Sequence, residues 1–165
     1  VDTSRLYLSG MSGGGIFSFQ LVQNIPNTFD AFAVVSGNLP QNLGRLPAVP
    51  FMYVHGTDDF LYPGRDGLYY AEKTIEQISE INACNGNVNE ASLSDINVKD
   101  KSTVTRIDFD CSTPIVYYRV NGGGHHWPGA TFDANLFYSK PLGPFNQDLD
   151  TNEAIWQFCA PFRRE

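Results

Sequence analysis

Apolar residues in this chain fall into short runs cut by glycine and proline, with stretches of helical spacing between them. Residues 31–36 read Ala-Phe-Ala-Val-Val-Ser, nearly all apolar, bounded by Gly37 and Pro40. Pro50 to His55 is another such run, stopped by Gly56. Continuous runs of this length predict strands buried on both faces, as in a parallel sheet. Arg5 to Ser9 is a shorter β-prone run that meets Gly10-Met11-Ser12-Gly13-Gly14-Gly15. Beyond it, Ile16, Phe17 and Leu21 recur at helical spacing until Pro26 ends the pattern.

The longest helical pattern covers residues 66–82, with Tyr70, Ile75, Ile78 and Ile81 sharing one face. Val104 to Phe109 alternates, and Ile115 to Val120 follows a proline turn; these predict two strands joined across residues 111–114. Residues 85–102 are polar and show no clear periodicity, and residues 130–148 read as loop. The final helix starts near Asp150 or Thr151 as a cap, with Glu153 in its first turn. Strands alternating with helices define an α/β fold, a mostly parallel sheet flanked by helices. The length of 165 residues suits one domain. Few residues precede the strand leading to Ser12, so residues 1–165 are expected to be a single partial domain lacking its N-terminal strands.

Composition narrows the function classes. The net charge is -7 and the pI about 4.8, which argues against a nucleic-acid partner, because phosphate binding needs clustered Lys and Arg. The pair Arg163 and Arg164 reads as a solvated tail. No apolar run is long enough to span a bilayer, so no membrane partner is expected. Cys84 and Cys111 flank the polar stretch, and a disulfide between them would restrict it in the unfolded chain. Such a bond implies an oxidising compartment, secreted or periplasmic, although no signal segment is visible in this chain. Cys159 sits in an apolar helical stretch and reads as a buried small residue.

The candidate chemistry centres on Gly10-Met11-Ser12-Gly13-Gly14, a G-x-S-x-G match between a strand and a helix. A serine on such a tight turn is pushed out beyond the strand end, and the helix N-terminus favours negative charge developing beside it. Gly13 N–H, next in the chain, is the natural oxyanion donor. A serine hydroxyl needs a base. His125 follows Asn121-Gly122-Gly123-Gly124, whose glycines let a loop approach another backbone closely. His126 reads as its exposed neighbour, and His55, ending a buried strand, as a residue whose hydrogen bond shapes the next loop. Adjacent histidines without Cys, His or carboxylate at ligand spacing do not make a zinc site, so neither metal nor cofactor is expected. Gly56-Thr57-Asp58-Asp59 lies just past a strand end, where an acid orienting the imidazole belongs, and either aspartate fits. The order Ser, Asp, His is that of α/β-hydrolases.

These strings, with Gly122-Gly-Gly-His-His-Trp-Pro-Gly129, resemble the polyhydroxybutyrate depolymerase and feruloyl esterase family of secreted α/β-hydrolases over essentially the whole chain. The resemblance implies Asp59 rather than Asp58 as the acid, His125 rather than His126 as the base, and a cysteine pair at Cys84 and Cys111. It implies cleavage of polyester links or of feruloyl and acetyl esters on plant polysaccharide. Nothing here matches the upstream His-Gly loop that supplies the family's second oxyanion donor. One missing donor typically costs on the order of 10² to 10³ in rate.

The expected mechanism is acyl transfer by Ser12, His125 and Asp59, converging at one sheet edge with Ser12 Oγ in hydrogen-bond reach of His125. Trp127 and Tyr62 are candidates to line the substrate pocket, though Trp127 fits core packing equally well. The expected partner is a polymeric or small ester, with a missing N-terminal segment or a partner chain completing the fold. The rival readings are a truncated polymer-binding relative with weak catalysis, and a serine peptidase of the same fold.

Overall fold

The computed structural model describes residues 2–41, 44–61, 67–130 and 142–164. Its elements are β1 (Tyr7–Met11), α1 (Gly13–Asn24), β2 (Ala31–Val35), β3 (Phe51–Gly56), α2 (Gly67–Ile81), β4 (Cys84–Ser92), β5 (Thr103–Cys111), β6 (Ile115–Asn121) and α3 (Thr151–Cys159). The strands form one sheet in the order β1-β2-β3-β6-β5-β4. β1, β2, β3 and β6 run parallel, while β5 and β4 continue antiparallel as a hairpin beyond β6. The sheet is therefore mostly parallel, with helices on both faces, as the strand and helix pattern predicts.

The strands β2 and β3 are buried at every position, which is why they read as unbroken apolar runs. Their side chains alternate between two cores. Phe32, Val34, Phe51 and Tyr53 pack beneath Phe19 and Val22 of α1 and Ile75 and Ile78 of α2. Ala33, Val35, Met52 and Val54 face the other way, toward Ala154 of α3. The first core is aromatic: Phe19, Phe32 and Phe51 lie within ring-contact distance of one another, and Phe51 stacks on Tyr53 at 5.7 Å between centroids. Each such side chain contributes about 1.5–3 kcal/mol by leaving water.

One helix face was not legible in the sequence, and two local expectations need correction. The buried face of α1 is Gly15, Ser18, Phe19 and Val22, while Phe17 is 56% exposed. The apolar residues of this helix are spread around it, so the spacing that marks the helix does not mark its buried face. The unpatterned polar stretch begins with a strand, β4. It is an edge strand exposed along nearly all its length, so no alternation marks it. Arg164 is not solvated tail. Its guanidinium donates to both Asp30 oxygens and to the Asn27 and Thr28 carbonyls, and its N–H reaches Ser4 O. Asp30 also accepts the Leu6 N–H. Burial pushes the Asp30 carboxyl up, but Arg164 and the Leu6 N–H outweigh it and hold it low. This clamp fastens the C-terminal segment to the entry of β1.

The α3 cap is Asp150, whose side chain accepts the Glu153 N–H. Cys159 is buried and free, and burial pushes its thiol up to about 11. Cys84 and Cys111 are joined, and they sit opposite each other in the β4–β5 register. The bond closes a loop of 27 residues, so loop entropy predicts about 3–4 kcal/mol of stabilisation. Urea unfolding of the Cys84→Ser, Cys111→Ser double variant should show a loss of that order, and an unchanged midpoint would mean that the hairpin closes without the bond.

Candidate functional site

The first three parallel strands hand their chains over in a stair of ladder bonds at one sheet edge. Ser12 N–H donates to Val35 O, Ser36 N–H to Val54 O, and Thr57 N–H to Val120 O, at 2.9, 2.9 and 3.0 Å. Each residue follows the end of its strand, β1, β2 and β3. The loop after β6 leaves at the same edge.

Ser12 links β1 to α1 with φ 53° and ψ -121°, a backbone conformation that non-glycine residues rarely adopt. Its carbonyl accepts the Ile16 N–H at 3.0 Å, the first bond of the helix. The N–H groups of Gly13, Gly14 and Gly15 precede that bond and have no partner carbonyl one turn back in the helix. The steric need for glycine falls unevenly. A Cβ on Gly10 would lie 2.3 Å from Gly14 O, and one on Gly15 2.6 Å from Val34 Cγ1. One on Gly37, in the loop after β2, would come within 2.9 Å of Ser12 O. Gly13 and Gly14 have nothing within 4 Å. The second glycine of the motif is thus not sterically required, and the space beside the turn is open.

The acid and the imidazole are brought together by two loops pressed against each other. Asp58 N–H donates to Gly123 O at 2.9 Å and Gly122 N–H to Thr57 Oγ1 at 2.8 Å. A Cβ on Gly56 would sit 2.1 Å from Gly123 O, so only glycine allows this approach. The His125 loop is in turn pinned by Gly124 N–H to Pro144 O and His125 N–H to Leu142 O. Across this contact His125 Nδ1 donates to Asp59 Oδ2 at 2.7 Å. Asp59 is fully buried. Asp58 is exposed and accepts only the neighbouring Thr57 hydroxyl among the described residues.

Ser12 lies at the end of β1, at the same sheet edge. Among the described residues no hydrogen bond joins its Oγ to His125, so the expected contact is not made. The Nδ1 side of the His125 ring is committed to Asp59. His126 is buried rather than exposed: Nε2 lies 2.9 Å from Gly143 O and the ring meets Phe145 edge-on at 4.9 Å. Burial lowers its pKa, against the Gly143 contact. Trp127 is partly buried and packs on the core beneath α3. Tyr62 lies outside the described residues.

His55 is the residue whose contacts the sequence hid. Its Nε2 lies 3.4 Å from Asp59 Oδ2 and its Nδ1 2.9 Å from Tyr53 Oη. Burial drives its pKa from 6.5 down to about 4, against the attraction of Asp59, so the ring is neutral near pH 7. The i, i+4 spacing of His55 and Asp59 across a tight turn was the available signal. Between α1 and α2 lies a mostly apolar cavity of about 290 Å³, lined by Ile16, Asn38, Leu39, Tyr69, Tyr70 and Thr74. Among the described residues no group of three or more His, Cys, Asp and Glu side chains is arranged to hold a metal ion, and no helix is long and apolar enough to cross a membrane.

No family model matches the chain. It is 28% identical over 181 residues to "Putative esterase NocK" of Nocardia uniformis subsp. tsuyamanensis, covering 96% of this chain and 52% of that protein. It is 29% identical over 125 residues to "Probable feruloyl esterase C" of Aspergillus clavatus, covering 74% of this chain and 43% of that protein. A shorter stretch of 62 residues, 36% of this chain, is 45% identical to 9% of "Bifunctional acetylxylan esterase/xylanase XynS20E" of Neocallimastix patriciarum. The distant relatives that span most of the chain thus carry esterase names, and the chain spans about half the length of the longer-matched one.

Two outcomes follow from this geometry. Gly10→Ala should cost more than about 2 kcal/mol in urea unfolding, because backbone occupies the Cβ position, whereas Gly14→Ala should be neutral or stabilise by up to about 1 kcal/mol. Equal effects at the two positions would contradict the open space at Gly14. His55 binds its proton less readily folded than unfolded. Its contribution to stability is therefore complete above pH 6.5 and is lost as pH falls toward about 4, on the order of 3 kcal/mol in all. Unfolding free energies measured at pH 7 and pH 5 should differ by less in His55→Gln than in the unsubstituted chain.

Proposed function

We propose that this chain is the catalytic part of a serine carboxylic ester hydrolase of the α/β-hydrolase type, acting through an acyl-enzyme. The observation that carries the reading is Ser12 itself: a non-glycine residue held at positive φ where β1 turns into α1, with glycine N–H groups ahead of it. Strain of this kind persists at functional sites because the surrounding structure enforces it. The Asp59–His125 pair, on loops leaving the same sheet edge, supports the reading.

In the proposed reaction Ser12 Oγ attacks the ester carbonyl while its proton passes to His125 Nε2. Asp59 keeps the other ring proton on Nδ1 and stabilises the imidazolium. Gly13 N–H and the α1 N-terminus stabilise the oxyanion. The alcohol leaves with the proton from His125. Water, deprotonated by the same ring, then hydrolyses the acyl-serine and restores Ser12. The apolar cavity beside Ile16 is our candidate for the acyl or alcohol group, with Tyr69 and Tyr70 as walls. The substrate class we favour is an ester on plant polysaccharide, feruloyl or acetyl, with polyester as the alternative; the relatives' names support the former. The disulfide supports an oxidising, extracellular or periplasmic setting.

The chain should hydrolyse a p-nitrophenyl ester and be labelled at Ser12 by a fluorophosphonate. Ser12→Ala should abolish both while leaving the fold unchanged by circular dichroism. His125→Ala should lower kcat by about 10³ or more, since the base and the serine act as a unit. His126→Ala should be far milder, acting only through the loop it anchors. Binding of xylan or polyester without turnover or labelling would instead favour the non-catalytic polymer-binding reading.

A further inference from the structure

We propose that Asn38, Tyr53 and His55 form a proton-ordered chain ending on the Asp59 carboxylate, which makes His55 a positioning residue for the acid of the site. The chain is buried: its first two links are hydrogen bonds, and the last is a 3.4 Å approach that falls short of hydrogen-bond geometry. Asn38 Oδ1 lies 2.8 Å from Tyr53 Oη, Tyr53 Oη 2.9 Å from His55 Nδ1, and His55 Nε2 3.4 Å from Asp59 Oδ2. Asn38, Tyr53, His55 and Asp59 are all 8% exposed or less. Tyr53 and His55 stack along one face of β3 with ring centroids 5.4 Å apart, so the backbone itself sets their spacing.

Proton accounting gives the chain a direction. A neutral imidazole carries one N–H, and an ionised carboxylate only accepts. Burial keeps His55 neutral, so a favourable approach to Asp59 puts its proton on Nε2. Nδ1 then carries a lone pair and needs a donor, which Tyr53 O–H supplies. Tyr53 has a single proton, so it cannot also donate to Asn38. The amide of Asn38 must present its NH2 to the phenol oxygen. With Oδ1 toward Tyr53, Asn38 Nδ2 is buried without a hydrogen-bond partner. A half-turn of the amide uses that donor and leaves an unmet acceptor, the cheaper of the two. The ordering Asn38 to Tyr53 to His55 to Asp59 therefore improves every link together.

The consequence for catalysis rests on the hydrolase reading above. Asp59 Oδ2 receives His125 Nδ1–H and faces His55 Nε2, while Oδ1 accepts the Leu61 N–H at 3.3 Å. His55 fixes the carboxylate against rotation, and through it the ring of His125. His55 never touches the reacting atoms.

The ordering is tested on the chain itself, labelled with ¹⁵N histidine, by long-range ¹H–¹⁵N correlation of the imidazole rings. His125→Ala and His126→Gln supply the assignments. The expected His55 signal is a neutral ring with its proton on Nε2 from about pH 5.5 to 8. A proton on Nδ1, or a doubly protonated ring at about pH 6, overturns the proposal. Tyr53→Phe removes one hydroxyl from a buried ring and should shift the Nδ1 resonance; an unmoved resonance also overturns it. The kinetic arm uses p-nitrophenyl acetate. His55→Leu and Tyr53→Phe should lower kcat, the former on the order of tenfold, with KM unchanged, and His55→Gln, which can still donate, should recover part of it. Full activity in a folded His55→Leu, with Ser12→Ala inactive, removes the positioning role alone. If the unsubstituted chain neither turns over nor labels at Ser12, the hydrolase reading fails, and the ring signals still decide the ordering.

Discussion

A carboxylate sealed from water must be surrounded by donors, and Asp59 imposes that condition on the whole C-terminal edge of the sheet. It is fully buried, and an ionised group in such a place is tolerable only when hydrogen-bonded and paired. Two donors reach it in hydrogen-bond geometry, the Leu61 N–H two residues on and His125 from the loop after β6, and His55 from the strand before approaches to 3.4 Å. To deliver them, the loops after β3 and β6 must touch along their backbones. That contact explains Gly56 and Gly123 better than flexibility does, because a Cβ on Gly56 would overlap the Gly123 carbonyl. The Gly-rich string before His125 is in this sense a packing surface.

The parallel sheet supplies the rest of the geometry. Because β1, β2, β3 and β6 run the same way, every loop leaving their C-terminal ends emerges on one side. The sequence-distant residues 12, 37, 59 and 125 become neighbours of that edge without any long excursion of chain. Strain at Ser12 is held in place by what lies beneath it. Its N–H is tied to Val35 O, its carbonyl to Ile16 N–H, and Gly37 fills the space against its oxygen. The aromatic core under α1 and α2 makes that arrangement hard to relax, since a shift of β1 relative to β2 would move Phe19 off Phe32.

The parts of this structure that were legible in the sequence are those where one physical demand dominates. β2 and β3 are buried on both faces and read as unbroken apolar runs. Asp150 caps α3, its side chain accepting the Glu153 N–H, as an acidic residue just before a helical run suggests. The strand-turn-helix setting of Ser12 was visible from the glycines, although Gly15, outside the motif, proved tighter than Gly14. What was hidden depends on contacts far along the chain. β4 has no buried face, so nothing marks its period. Arg164 reaches Asp30 across 134 residues. His55 ends a buried strand, where a histidine can serve many structural roles, and only the fold of the next four residues turns Asp59 back onto it.

Two imidazoles against one carboxylate raise an electrostatic question that burial answers. Were His55 protonated, its positive charge 3.4 Å from Asp59 Oδ2 would compete with His125 for the same negative charge. On the hydrolase reading proposed above, an acid so neutralised would stabilise an imidazolium at His125 less well. Desolvation removes that possibility by holding the His55 pKa near 4, well below neutrality. In the proposed chain a neutral ring donates to the carboxylate and orients it while leaving its charge directed at His125. The aromatic stack along β3 thus does more than fill the core. On the proposed reading, by excluding water from His55 it separates orienting the acid, which needs a donor, from neutralising it, which needs a cation.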